Sequence, residues 1–116
     1  MNLKLIIALV KDDITQTVID AARDAGATGA SIITSVQGEG LIKEKTFLGL
    51  DLAAQRDMVL FLVAQPKARE ILETIGKAGC FDEDPGAGIA FQIGLEDAVG
   101  LTTQLPKLIQ EVEKEL

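Results

Sequence analysis

Residues 3–26 read LKLIIALVKDDITQTVIDAARDAG, and residues 58–79, MVLFLVAQPKAREILETIGKAG, repeat the same plan. In the first copy, positions 3–10 form a dense apolar run of strand length. Asp13, followed three residues later by Gln16, forms a capping-box pattern with Asp in the Ser/Thr place, which opens a helix. Ile14, Val18, Ala21, Ala22 and Ala25 fall on one face of that helix, and Gly26 is a natural stop. The chain returns over positions 28–36 as a second strand. In the second copy an apolar strand ends at Val63, Pro66 sits where a first helical turn tolerates it, and Ile71, Leu72 and Ile75 share one face before Gly79. A constant offset superposes the two: Val10 meets Val63, Val18 meets Ile71, and Ala25-Gly26 meets Ala78-Gly79. Ile89, Phe91 and Ile93 alternate with Ala90 and Gln92, giving a fourth strand with one face to a core. The predicted order is βαββαβ, an α+β, ferredoxin-like double split unit forming one domain over residues 1–116. Leu105, Leu108, Ile109, Val112 and Leu116 add a short amphipathic helix over 106–116, with Pro106 near its start.

Two helices cover only one face of a four-stranded sheet, and a strand with its other face in water should alternate apolar with polar residues. Residues 58–63 do not alternate. In the first strand Ile6, Ala8 and Val10 are apolar, and so are Leu5, Ile7 and Leu9. The second face is therefore expected to be buried as well, most simply against further copies of the chain.

At 116 residues, nearly half apolar, with four Phe but no Trp, Tyr or His, the chain is expected to form one compact aliphatic core. A net charge of −7 without any basic stripe argues against nucleic acid and anionic lipid as partners. Cys80 is the sole cysteine, so it makes no intrachain disulfide. Without histidine it completes neither a nucleophile pair nor a zinc site; it reads as a half-buried apolar residue following a helix. The first ten residues are short, contain Lys4 and lead into Lys11-Asp12-Asp13, unlike a signal peptide, and no run approaches the roughly 20 apolar residues of a membrane span. A cytoplasmic protein with no membrane insertion is expected.

Between the second and third strands, positions 37–55 are too long for a hairpin turn in so economical a domain. This stretch opens with Gly38-Glu39-Gly40, carries Lys43, Glu44 and Lys45, and then presents Phe47, Leu48 and Leu50 without a helical or strand period. Charges around an apolar patch suit a surface that orders against a protein partner through Lys43, Lys45, Phe47, Leu48 and Leu50; the alternative is a hairpin extension that packs on its own subunit. Further on, residues 81–91 read FDEDPGAGIAF. Glycines so placed cradle phosphates or supply the backbone freedom of a tight turn into a strand.

LKLIIALVK at the start, TSVQGEG at 34–40 and GAGIAF at 86–91 resemble, in order and spacing, the PII signalling superfamily over about residues 1–103. The resemblance implies a ferredoxin-like homotrimer that binds small effectors, usually adenine nucleotides, in clefts between subunits. It also implies that residues 38–54 form a T-loop that docks on a regulated protein, a membrane transporter being the favoured guess. Residues 82–88 would be the B-loop and 100–105 the C-loop contributed by a neighbouring subunit. The effector cleft would then use Gly38, Gly40, Gly86, Ala87 and Gly88. Nitrogen regulation would follow from the family name alone.

The departures from that pattern are chemical. The chain has no tyrosine, which excludes T-loop uridylylation. Ala87 and Ile89 replace the B-loop aspartate and lysine, and Leu41 or Ile42 stands near the position of the glutamine that meets nucleotide and metal. The C-loop arginines are absent from Gly100-Leu101-Thr102-Thr103-Gln104. Asp82, Glu83 and Asp84 precede the glycines, and each would repel a phosphate charge by about 1 kcal/mol or more at a few ångströms. Without a nearby guanidinium or ammonium, tight ATP binding of the family kind is not expected; a mononucleotide, a nucleoside or a small cation suits the loop better. The three acids offer oxygen ligands to a hard cation or, more commonly, form a solvated face, and no metal site is assigned. No catalytic group is singled out, so the chain reads as a non-enzymatic regulator. A structural or metal-tolerance trimer of the related CutA type without nucleotide binding is the alternative.

Overall fold

The structure is a computed structural model that describes residues 2–36, 46–47, 50–51 and 55–104. Strand β1 (Leu3–Lys11) leads to helix α1 (Thr15–Asp24) and strand β2 (Ser31–Val36); β3 (Thr46–Phe47) and β4 (Leu50–Asp51) follow; β5 (Arg56–Ala64) runs into α2 (Gln65–Ala78), then β6 (Gly88–Gly94) and a helical turn, α3 (Leu101–Gln104). The main sheet has the order β2-β5-β1-β6, and each neighbouring pair is antiparallel. This is the expected ferredoxin-like arrangement: each strand–helix–strand unit leaves a gap that the other unit's first strand fills.

Strand alternation divides the apolar residues between two layers. Ile6, Ala8 and Val10 of β1 and Val59, Phe61 and Val63 of β5 pack with Val18, Ala22, Ile71 and Ile75 into the helix-covered core. The odd positions of β1 lie on the other face, in register with Met58, Leu60 and Leu62 of β5 and with Ile89, Phe91 and Ile93 of β6. The alternating residues of β6 therefore serve this second face, and Ala90 is the one that packs towards the helices. Ile33, opposite Met58, and Ile93 are about half exposed there. At one end of the same face Leu101 of α3 joins Leu3, Leu62, Ala64 and Leu95 in a small cluster.

Three local expectations need correction. The capping box does not form: Ile14 is the N-cap of α1 with no side-chain capping bond, and Gln16 bonds Asp20 instead. The amino end of α1 is served by Asp57, which reaches across from β5 to accept a 2.6 Å bond from the Thr15 hydroxyl. Both residues are buried, and a carboxylate there also complements the helix dipole.

Second, the two helix ends are one residue out of step with the repeat. In α1 the Ala27 N–H bonds the Ala22 carbonyl and the Gly26 N–H that of Arg23; in α2 the Phe81 N–H bonds Gly76 and the Cys80 N–H bonds Lys77. Both are Schellman closures, which need a left-handed residue at the position after the C-cap. Gly26 fills it with φ +115 in α1, but in α2 it falls to Cys80, with φ +55. Cys80 is exposed, not half-buried.

Third, the stretch between β2 and β5 contains regular pairing, Thr46 with Asp51 and Phe47 with Leu50. The backbone of the proposed partner residues Phe47 and Leu50 thus belongs to a two-stranded ladder. Gly38, Gly40, Lys43, Lys45, Leu48 and the helix expected over 106–116 lie outside the described residues.

Candidate functional site

The glycine loop between α2 and β6 is built by two different demands. Asp84 to Ala87 close a β-turn in which the Ala87 N–H donates to the Asp84 carbonyl at 3.0 Å. Pro85 at the second place and Gly86 at the third, with φ +83, give the type II form, for which a positive φ at the third residue is required. A Cβ on Gly86 would meet nothing within 4 Å, so its glycine answers to backbone conformation alone.

Gly88 answers to packing. A Cβ there would lie 2.5 Å from Cε1 of Phe81 and 2.7 Å from the Leu9 carbonyl oxygen, while one on Gly79 would lie 2.3 Å from the same Phe81 carbon. The Phe81 ring is wedged between the end of α2 and the start of β6. Gly79 is therefore a packing glycine, which is why Cys80 is left to take the left-handed position. Asp82, Glu83 and Asp84 are exposed, and the backbone N–H groups of Glu83 and Asp84 bond the Cys80 carbonyl. Among the described residues no group of three or more His, Cys, Asp or Glu side chains could hold a metal ion.

The sequence reading placed no guanidinium near this loop, and that is corrected by Arg56. Nη2 of Arg56 donates to the Gly86 carbonyl at 2.8 Å, across 30 residues of sequence. The side chain is 2% exposed. The sheet register explains the approach: Val10 pairs Gly88 on one side of β1, and the adjacent Lys11 pairs Arg56 on the other. Arg56 also pairs Val36, the last residue of β2. The backbone stems of the 37–55 segment thus pair at Arg56, whose guanidinium reaches the glycine loop. Of the proposed cleft residues, Gly86, Ala87 and Gly88 lie in one loop that Arg56 reaches through the Gly86 carbonyl, and Ala87 is buried.

Among the described residues, concavities lie on both sides of the sheet. One of about 680 Å³ lies between α2 and β6, bordered by Leu72, Phe81, Ile89 and the charged Arg69, Glu73 and Lys77. Arg69 is already paired with Glu73 at 2.8 Å on the exposed side of α2. The other, about 240 Å³, lies on the second face, where Leu60 and Leu62 floor a rim made by residues 28–31.

A four-stranded antiparallel sheet with two helices on one face, an apolar opposite face, and a cation joining a glycine loop to the base of a long inter-strand segment defines a ferredoxin-like domain. Residues 3–104 match the family model described as nitrogen regulatory protein P-II, and the chain belongs to that family. Among solved structures it is similar to CPII from Thiomonas intermedia K12 bound to ADP, AMP and acetate, at 20% identity over 82% of this chain and 89% of that one, with a TM-score of 0.59. It is similar to a PII-like signalling protein from Thermus thermophilus, at 21% identity over 82% of this chain and 91% of that one, with a TM-score of 0.58. The apo form of CPII gives 19% identity over 80% and 90% of the two chains, with a TM-score of 0.58. No curated protein sequence matches the chain.

Proposed function

We propose that this P-II family chain is a non-enzymatic cytoplasmic regulator that binds an adenine nucleotide, with low affinity, in clefts between the subunits of a homotrimer. It signals occupancy to a protein partner through the 38–54 T-loop, a membrane transporter being the partner class that the family resemblance implies. The observation that carries the nucleotide reading is Arg56, which supplies the cation that the B-loop's own sequence lacks. A guanidinium binds phosphate in a bidentate fork and offsets part of the repulsion from the exposed acids of residues 82–84. A mononucleotide or diphosphate suits a site with one such group better than a triphosphate does. The CPII structure that holds ADP and AMP supports the choice of ligand class. The apolar second face, with Ile33 and Ile93 half exposed, supports assembly through that face.

The test is calorimetric titration with ATP, ADP, AMP and cyclic AMP, with and without magnesium, after light scattering has fixed the oligomer mass. A mass of three chains and saturable binding approaching one ADP or AMP per subunit are expected. A folded trimer that takes up none of the four would refute the nucleotide reading, and a monomeric mass would refute the assembly.

A further inference from the structure

We draw no further inference here: the strongest candidate, the groove between α2 and β6 bordered by Leu72, Phe81 and Ile89, is an open concavity beside the outermost strand of the main sheet, and nothing in the structure shows what covers it.

Discussion

Replacing Gly88 with alanine separates the structural use of the glycine loop from any ligand-binding use. The added Cβ would sit 2.5 Å from Cε1 of Phe81 and 2.7 Å from the Leu9 carbonyl oxygen, about an ångström inside ordinary contact. The ring cannot simply swing aside, because Gly79 faces its other side at a similarly close distance. The Leu9 oxygen belongs to the β1 backbone, fixed by pairing with both neighbouring strands. Overpacking at such a site costs about 1–3 kcal/mol. The loss of unfolded-state freedom on going from Gly to Ala returns about 0.4–1 kcal/mol. The net expectation is a destabilisation of roughly 1–2 kcal/mol, measured by urea unfolding at matched protein concentration. Phe81→Leu in the Gly88→Ala background should recover part of the loss, and the unrecovered remainder reports the Leu9 carbonyl; a double-mutant cycle gives the coupling. Gly86→Ala is the contrast: it meets no atom, and its cost of about 1–2 kcal/mol comes from the positive φ alone, so Phe81→Leu should not relieve it. A Gly88→Ala protein as stable as wild type would refute the wedge.

Other expectations follow from the same geometry. Cys80→Gly should stabilise the fold by roughly 1 kcal/mol, because the side chain is exposed and the left-handed backbone penalises a Cβ, whereas Cys80→Ala should change little; urea unfolding of both variants checks this. Thr15→Val should cost about 1–3 kcal/mol by leaving the buried Asp57 carboxylate without its hydroxyl donor, and Thr15→Ser should restore most of it in the same assay. Ile33→Lys or Ile93→Lys, each a half-exposed position on the second face, should lower the mass seen by light scattering while circular dichroism stays native; an unchanged mass would remove that face from the interface.

Much of the fold was legible because a strand apolar on both faces leaves an unambiguous mark. Leu5 to Val10 and Met58 to Val63 cannot alternate if both layers need apolar atoms, and the register confirms that their odd and even positions serve different layers. The misreadings arose where one residue served a tertiary contact instead of the local rule. Gly79 looks like a helix stop, but the Phe81 ring claims it and pushes the left-handed position onto Cys80. The Asp13–Gln16 box looks like a cap, yet Asp57 serves that end of the helix from β5. The glycine loop's positive partner was hidden because it lies 30 residues away, and only the pairing of Lys11 with Arg56 beside Val10 with Gly88 brings it near. An observable signal existed in the sequence: an Arg-Asp pair opening a run of seven apolar residues.

The consecutive residues Arg56 and Asp57 point to opposite sides of β5, one bonded to the glycine loop and the other to the first helix. A strand secured on both surfaces at its first two positions keeps its register whatever segment precedes it. The segment between residues 36 and 56 can then be regarded as an exchangeable cassette: its length enters the stability of the fold only through the slow logarithm of loop closure. Segments of other lengths and chemistries could be grafted between the same two stems, with the sheet, the helices and the glycine loop retained as a common chassis.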